Sequence, residues 1–283
     1  MELAGSASER IWSFDPNMIA AIAGRSRARR QGNMSELPDP IPAATLVLMR
    51  ARANGPPELL MTERTGQMAF AAGALVFPGG RIDADDHASA RGWDMADAAA
   101  RVAAIRETIE ETGLAPGLVP APDPVVAAAL RDGIVAERPL AGLLGELGLA
   151  LDLEALIPFA RWCPNFRETR RFDTLFFLAE ASADAPEPVV SEAEAVRAFW
   201  AGAAEILAEV DAGHAHVIFP TRRNLERLAS FASIAEAYAD AARHPVTRIT
   251  PWLADVDGAP HVCIPEGIGY PVTSEPLETA RRR

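Results

Sequence analysis

The sequence predicts a mixed α/β sandwich, in which the strands of a sheet and the helices that cover it are interleaved along the chain. Short apolar segments bounded by turn residues indicate strands and longer amphipathic segments indicate helices, but the two do not alternate strictly. The chain has 283 residues, of which 49% are hydrophobic and 23% are charged, an ordinary composition for a globular protein. That length suffices for one large domain or for a core domain with insertions.

The limits of the predicted domain follow from composition. Residues 1–36 include a basic run and no apolar core, so we expect a flexible leader, or a segment upstream of a true start at Met34. Residues 37–283 are expected to form one domain with insertions at about 83–97 and 118–160.

Three strands are predicted in the first third of the chain. The apolar segment Thr45–Met49 forms the first and Glu58–Arg64 the second, with a turn at Asn54–Pro57 between them. The third strand is Ala74–Phe77. We expect Pro78-Gly79-Gly80 to end it, because proline cannot continue a strand ladder and glycine permits a sharp turn.

A helix is predicted after a polar stretch that follows this turn. Arg81–Trp93 is acidic and aperiodic, so we exclude it from the core. Asp94 or Asp97 can cap a helix that ends at Thr112, and Gly113 supplies the left-handed residue that often terminates a helix.

The second half of the chain begins with a helical insertion. Pro124–Pro158 is rich in Leu and Ala, and we expect its helices to break at Gly133 and near Pro139. The remaining elements are predicted in this order: strands over Arg171–Ala179 and Val196–Trp200, helices over Ala203–Val210 and Thr221–Ala242, and a tail with a short hairpin over Thr247–Tyr270.

The helix that ends at Thr112 has an acidic face. Glu107, Glu110 and Glu111 lie three and four residues apart, within an arc of about 100° that is nearly opposite the apolar stripe. Like charges at these spacings oppose helix formation, so a cation is expected among them. The alternative is an acidic face that simply contacts water.

Small residues on the same face favour the first interpretation. Ala100, Ala103 and Ala104 precede the glutamates by one to two turns, where a solvated face more often has long polar side chains. Another backbone segment is therefore expected to approach closely, and the Gly79-Gly80 turn is the candidate. Clustered carboxylates beside a backbone carbonyl form an all-oxygen site, which suits Mg²⁺ or Mn²⁺.

Two segments resemble the Nudix box. Arg106–Leu114 is similar to its second half, R-E-U-x-E-E-x-G-U with U a bulky aliphatic residue, and Phe77–Gly80 is similar to its entry. The chain departs from the box by about a dozen extra residues before the helix, so that counting back from Arg106 places the first glutamate of the box on Ala98. Thr108 also replaces an aliphatic residue. The resemblance implies the Nudix α/β/α sandwich with a mixed sheet, plus the helical insertion.

A second signature narrows the expected substrate. Leu60–Thr65, Gly73 and Phe77–Gly80 resemble the coenzyme A-directed Nudix pattern L-L-T-x-R-S … G-x-x-x-F-P-G-G. Residues of about 40–270 resemble the longer Nudix hydrolases related to the peroxisomal acyl-coenzyme A diphosphatase. The sequence departs from the signature at three positions: Met61, Thr65 and Ala69.

The resemblance implies which residues perform the chemistry. The Gly79 carbonyl, Glu107, Glu110 and Glu111 are expected to bind one to three Mg²⁺ or Mn²⁺ ions, and a bound water attacks phosphorus. Glu110 and Glu111 are expected as ligands and Glu107 as ligand or general base. Arg106 completes this set, because it lies four residues before Glu110 and can orient its carboxylate.

Three further residues are expected to bind substrate. Gly80 lies beside the acidic face, and Arg64 and Arg171 can contact phosphate through their guanidinium groups. For both arginines a surface ion pair is the alternative. Glu168 and Asp173 are weaker candidates for a carboxylate that reaches the metals from a distant loop. Trp162, Cys163 and three phenylalanines are expected in the core: Phe172, Phe176 and Phe177.

The charge and cysteine content limit the partners. A net charge of −12 disfavours nucleic acid and anionic membranes, but a bound cation can still attract a phosphate-bearing small molecule. No apolar run reaches the length of a membrane span. Cys163 and Cys263 form no metal or disulfide pattern, so we expect a cytoplasmic protein. The expected partners are a nucleotide or coenzyme A substrate and, at most, a second copy of the chain.

Two other functions are compatible with these motifs. The first is a Nudix hydrolase of ADP-ribose, dinucleoside polyphosphates or damaged nucleotides. The second is a catalytically silent Nudix fold that only binds a nucleotide, which the intact glutamates Glu107, Glu110 and Glu111 disfavour.

Overall fold

The computed structural model describes residues 39–65, 73–164, 171–190 and 195–282. The expected leader, residues 1–36, lies outside these ranges, as do Ala69 and Glu168.

The described chain contains thirteen strands and eight α-helices, together with a 3-10 turn at Leu153–Ala155. The strands are β1 Ile41–Arg50, β2 Glu58–Arg64, β3 Leu75–Val76, β4 Gly79–Arg81, β5 Leu118–Val119, β6 Ala150–Leu151, β7 Ile157–Trp162, β8 Phe172–Ala181, β9 Ala195–Gly202, β10 Arg248–Ile249, β11 Trp252–Val256, β12 Ala259–Cys263 and β13 Ser274–Pro276. The helices are α1 Ala84–Ser89, α2 Ala98–Thr112, α3 Pro124–Val135, α4 Leu140–Leu147, α5 Ala203–Asp211, α6 Phe219–Leu228, α7 Ile234–Arg243 and α8 Leu277–Arg282.

The main sheet is mixed and is organised around β1. Its strand order is β10-β7-β8-β1-β2-β3, with β4 paired to β1 and β9 paired to β2. β1 runs parallel to β8 along its whole length. It is antiparallel to β2 only near its end, at Met49, and antiparallel to β4 near its beginning, at Ala43–Thr45. β1 and β2 therefore diverge, and β4 occupies the space between them.

Helices cover both faces of this sheet, which confirms the predicted α/β/α sandwich. Residues alternate between faces along β1: Leu46 packs with α2 and with the α3–α4 insertion, whereas Val47 packs with α5, α6 and α7. Both side chains are fully buried. The period of two in a strand therefore supplies one apolar surface to each layer.

The glycine segment after β3 differs from the prediction. β3 ends at Val76, before Pro78, as predicted, but the two glycines do not form a turn: Gly79–Arg81 is itself a strand that pairs with β1. Pro78 has no N–H to donate, but its carbonyl still accepts a hydrogen bond from the Leu46 N–H at 3.0 Å. The chain thus crosses directly from β3 to the centre of the sheet.

The insertion also differs from its prediction in two places. Gly133 does not break α3; a Cβ there would meet the Leu143 side chain of α4, so its glycine lets the two helices approach each other. The last part of the segment predicted as helical up to Pro158 is not α-helical: it contains strand β6, the 3-10 turn and the first two residues of strand β7. The β7–β8 register shifts between Pro158 and Ala160, and such an irregularity accommodates a proline within a sheet.

The long helix predicted over Thr221–Ala242 is two helices, α6 and α7. The Ser233 hydroxyl accepts a hydrogen bond from the Glu236 N–H at 3.2 Å and so caps a new helix at Ile234. The predicted tail hairpin is confirmed as β11 and β12, which are joined through Asp257-Gly258 with φ values of 52° and 84°. None of the helices in the described ranges is both long and apolar enough to cross a membrane.

Candidate active site

Helix α2 is mostly buried, and its acidic side chains lie along one edge. It ends at Gly113, whose φ of 70° is left-handed and whose N–H donates to the Ile109 carbonyl at 2.8 Å. Asp97 occupies the N-cap position, but its carboxylate accepts hydrogen bonds from Arg101 and does not cap the helix. The three alanines expected to face a close neighbour are all buried: Ala100, Ala103 and Ala104.

The glycine turn predicted to approach this helix does so at Glu107. A Cβ added at Gly80 would lie 2.7 Å from Glu107 Oε2, and closer still to the other carboxylate atoms. A Cβ added at Gly79 would lie 2.7 Å from Thr45 Cα, in the neighbouring strand β1. The two glycines therefore let β4 fit between β1 and the carboxylate of Glu107.

The acidic side chains are partly sheltered from water. The exposed fraction is 15% for the Glu107 side chain and 26% for that of Glu110, and Glu111 is buried. These carboxylates therefore do not point into bulk solvent.

Arg106 is the cation among these carboxylates. Its Nη1 donates to Glu107 Oε1 at 2.9 Å and to Glu110 Oε2 at 3.4 Å, and its Nη2 donates to the Arg81 carbonyl at 3.1 Å. Burial opposes its charge, but hydrogen bonding to Asp86 and the charge of Glu107 outweigh this effect and raise the pKa of the guanidinium. Arg106 thus remains charged and links α2 to β4.

Asp86 is a site residue that the sequence analysis missed. Its side chain is fully buried, and it accepts hydrogen bonds from Arg106 Nε at 2.8 Å and Arg106 Nη2 at 2.9 Å. The exclusion of Arg81–Trp93 from the core was therefore wrong, because this segment forms α1 and buries an aspartate against a charged partner. Asp86 also accepts from the Asp83 N–H at 2.8 Å, which fixes the start of α1.

Counting in the other direction would have found Asp86. The Nudix box places five residues between its glycine and its first glutamate, and after Gly80 the five residues 81–85 are followed by Asp86. The extra residues follow this position and precede α2. The neighbouring Asp85 accepts a hydrogen bond from the Leu140 N–H at 2.9 Å, so α1 also connects the site to the start of α4.

The predicted substrate arginines lie at the same end of the sheet as Gly80. Arg64 ends β2, Arg171 immediately precedes β8, and the Arg171 carbonyl accepts from the Ile41 N–H at the beginning of β1. Both side chains are half-buried, and the Nε atom of each is buried without a hydrogen-bond partner in the described part of the chain. The fold thus places Arg64, Arg171 and Gly80 at one end of the sheet.

Asp173 has a different role from the one considered. Its two carboxylate oxygens accept from Arg161 Nε at 2.8 Å and Arg161 Nη2 at 2.9 Å, and Arg248 Nε lies 3.4 Å away. It belongs to strand β8, not to a distant loop. The expected core residues Trp162, Cys163, Phe176 and Phe177 are buried, whereas Phe172 is only half-buried.

Glu107, Glu110, Glu111 and the Gly79 carbonyl could hold a divalent cation, because all are hard oxygen donors. Within the ranges that the structure describes, no three His, Cys, Asp or Glu side chains converge closely enough to enclose a metal. The chemistry of these oxygen donors nevertheless fits a divalent ion.

Known proteins resemble this chain in sequence and in structure. No protein-family model matches the chain. The acyl-coenzyme A diphosphatase NUDT19 of Homo sapiens is 27% identical over 265 residues, covering 72% of this chain and 70% of that protein. The crystal structure of a NUDIX hydrolase from Alicyclobacillus acidocaldarius is similar with a TM-score of 0.62 and 30% identity, covering 73% of this chain and 97% of that chain.

Proposed function

This chain belongs to the Nudix hydrolase family and is a diphosphatase of that family, and from this premise we propose that it hydrolyses the diphosphate linkage of coenzyme A or an acyl-coenzyme A with Mg²⁺ or Mn²⁺ bound at α2. The observation that supports the proposal most is the contact between Gly80 and the Glu107 carboxylate. A strand backbone without side chains meets an acidic helix edge there, so the Glu107 carboxylate lies directly against the Gly79-Gly80 backbone.

The side chains of the site divide between metal binding and positioning. We assign Glu110 and Glu111 as metal ligands, Glu107 as ligand or general base, and the Gly79 carbonyl as a further ligand. A bound divalent ion would offset phosphate charge and lower the pKa of the attacking water. Arg106 orients Glu107 and Glu110 from the side, and Asp86 fixes Arg106.

The substrate proposal rests on two lines of support. Leu60–Thr65, Gly73 and Phe77–Gly80 resemble the coenzyme A-directed signature, and NUDT19, the human relative, is an acyl-coenzyme A diphosphatase. We propose Arg64 and Arg171 as phosphate contacts and Gly80 as the substrate-facing backbone, because all three lie at one end of the sheet. Both cysteines are free and buried, and we therefore propose a reducing, cytoplasmic location. We also propose that the chain forms a homodimer.

The test is a substrate screen with product identification. The purified full chain is incubated with coenzyme A, an acyl-coenzyme A or ADP-ribose in Mg²⁺, in Mn²⁺ or in excess EDTA, and the products are identified by mass spectrometry. We expect adenosine 3′,5′-bisphosphate from the two coenzyme A substrates and no turnover in EDTA. Turnover of ADP-ribose alone would contradict the substrate, and full turnover in EDTA would contradict the metal.

Variants of the acidic edge test the residue roles. Glu110→Gln and Glu111→Gln should each lower kcat by about 10²-fold or more, because a neutral amide is a poor ligand or base for this chemistry. The matched control is Glu146→Gln, in an exposed pair with Arg138 far from the site in sequence, which should retain wild-type kcat. Wild-type turnover by Glu111→Gln would overturn the assignment.

A further inference from the structure

Two arginines at the edge of the sheet share one carboxylate. Arg161 of β7 binds Asp173 through two hydrogen bonds, and Arg248 of β10 lies 3.4 Å from the same carboxylate. Arg248 Nη2 also lies 2.8 Å from Cys163 Sγ. Asp173 is 10% exposed, whereas the side chains of Arg161 and Arg248 are 44% and 42% exposed. The Asp173 carboxylate thus fixes the two guanidinium groups on their buried side, and their other side is open to solvent.

The register of the sheet places this pair on the same face as helix α2. Trp162 is buried in the core beneath α6 and α7, so the alternation of side chains turns Arg161 to the opposite face. Arg161 pairs with Leu175, which packs against the α2 layer. Arg248 pairs with Arg161 in parallel and therefore faces the same side.

A row of paired residues across the sheet joins Arg161 to Gly80 of β4. Arg161 pairs with Leu175, Leu175 with Ala44, and Ala44 with Gly80. Three strand spacings separate Arg161 from Gly80, or about 14 Å between backbones. The guanidinium groups at one end of this row and the Glu107 carboxylate at the other thus lie on one face of the sheet.

Among the residues that the structure describes, this cluster contains more positive than negative charge. Two guanidinium groups face the one carboxylate of Asp173, and Arg171, two residues before it, adds a third cation at the beginning of β8. In a chain with a net charge of −12, an exposed local excess of positive charge favours an anionic ligand. Fork-shaped guanidinium groups match phosphate oxygens particularly well.

We infer that Arg161 and Arg248, held by Asp173, bind the 3′-phosphate monoester of the coenzyme A nucleotide while its diphosphate lies at Glu107 and Gly80. This inference rests on the proposed function, since it requires a substrate that has a phosphate monoester one nucleotide away from the diphosphate. The pair then determines specificity, selecting coenzyme A over nucleotides that have only the diphosphate.

The experiment compares two substrates that differ only in this phosphate. kcat/KM is measured for coenzyme A and for 3′-dephospho-coenzyme A with wild type, Arg248→Gln, Arg161→Lys and Arg161→Gln. The wild type should prefer coenzyme A, and each Gln variant should lower the ratio of the two values by about 10-fold or more, with the change mainly in KM. Arg161→Lys should retain part of the preference. The control Arg138→Gln, in an exposed pair within the insertion, should keep the wild-type ratio.

A binding measurement separates this inference from the proposed function. Calorimetry with adenosine 3′,5′-bisphosphate and with 5′-AMP reports the subsite without turnover, and thermal unfolding identifies variants that fail to fold. Tighter binding of the bisphosphate that is lost in Arg248→Gln supports the subsite, even if coenzyme A is not hydrolysed. An unchanged substrate ratio in folded Arg248→Gln and Arg161→Gln, or equal binding of the two nucleotides by wild type, would overturn it.

Discussion

The Glu107 carboxylate is held between two neighbours, the Gly80 backbone and the Arg106 guanidinium. Gly80 has no side chain on the face that meets the carboxylate, and Arg106 donates to Glu107 Oε1 at 2.9 Å. Asp86 then fixes Arg106 from below through two hydrogen bonds. The orientation of the Glu107 carboxylate thus depends on three residues that are not themselves proposed as metal ligands: Gly80, Arg106 and Asp86.

Gly80→Ala should damage activity far more than stability. The new methyl group would displace the Glu107 carboxylate, which is the end of a flexible side chain and can move aside. We expect kcat to fall by about 10–100-fold, the usual effect of disturbing a ligand's supporting contacts. Steady-state kinetics and thermal unfolding on the same sample measure the two effects.

Two companion variants sharpen this prediction. Gly145→Ala adds a methyl group to α4 where no atom lies within 4 Å, so it should leave kcat unchanged. Gly79→Ala meets backbone atoms of β1 and should chiefly destabilise the fold. If Gly80→Ala lost stability as severely as Gly79→Ala, the proposed displacement of Glu107 would be incorrect.

Asp86→Asn should weaken both stability and catalysis. The variant keeps the shape of the side chain but leaves the buried Arg106 guanidinium with less negative charge, at a cost of about 1–3 kcal/mol in the free energy of unfolding. Because Arg106 then holds Glu107 and Glu110 less firmly, kcat should fall by about 10-fold or more. Urea unfolding and steady-state kinetics check the two effects. Asp94→Asn, an exposed position in the same insertion, is the control, and equal behaviour of the two variants would contradict the role of Asp86.

At the scale of elements, the beginning of α5 is fixed by one glutamate. Glu205 Oε2 accepts from the Gly202 N–H at 2.8 Å, and Arg52 donates to both carboxylate oxygens at 2.8 and 2.9 Å. The hydrogen bonds from Arg52, with the backbone hydrogen bond from Gly202, lower the pKa of Glu205 to about 2. The helix is thereby tied to the β1–β2 connection, which contains Arg52.

This shift predicts a pH-dependent contribution to stability. A carboxyl whose pKa is lower in the folded than in the unfolded state stabilises the fold above its unfolded pKa, and the contribution disappears as the pH falls toward the folded value. Glu205→Gln should therefore be less stable than wild type at pH 7, and the difference should narrow from about pH 4.5 toward pH 2. Urea unfolding of both proteins across this range measures it. Glu209→Gln, an exposed position on the same helix, is the control, and a difference that stays constant down to pH 2 would disprove the linkage.

Local pattern predicted most elements because each depends on near neighbours. β2 has the predicted bounds, α2 ends at the predicted Gly113, and α5 begins at the predicted Ala203. Strand β7 and the division between α6 and α7 were missed. β7 contains Pro158 and is only six residues long, so its apolar residues are as compatible with a helix as with a strand.

At the scale of the whole molecule, α6 is a polar helix in a buried position. Arg227 on α6 is 2% exposed, binds Asp240 of α7 at 2.7 Å, and lies 4.1 Å from the ring of Phe159 in β7. Its Nη1 also donates to the Phe159 carbonyl at 3.2 Å. One guanidinium thus joins two helices to the sheet behind the site.

Arg227→Ala should be among the most destabilising single changes. It leaves the nearly buried Asp240 without its principal counter-charge, for an expected loss of about 3–5 kcal/mol in the free energy of unfolding. Denaturant unfolding measures the loss. The control Arg197→Ala removes an exposed pair with Glu63 and should cost about 1 kcal/mol or less. Similar losses for the two variants would contradict a structural role for the buried pair.

The order of residues alone predicts the family motif, the acidic edge of α2, its termination at Gly113 and the approach of the Gly79-Gly80 backbone. Each of these follows from helical periodicity, from the conformational freedom of glycine or from residues a few positions apart. Such local patterns can be recognised directly in the sequence.

Two features follow only from the folded arrangement of the chain: Asp86 pairs with Arg106, and Arg161 and Arg248 share a register row with Gly80. The first contact joins residues twenty positions apart across an insertion, and the second depends on the register of five strands. The sequence around one residue of each contact does not predict its partner, because strand order and register are set by burial of the whole sheet between its two helical layers.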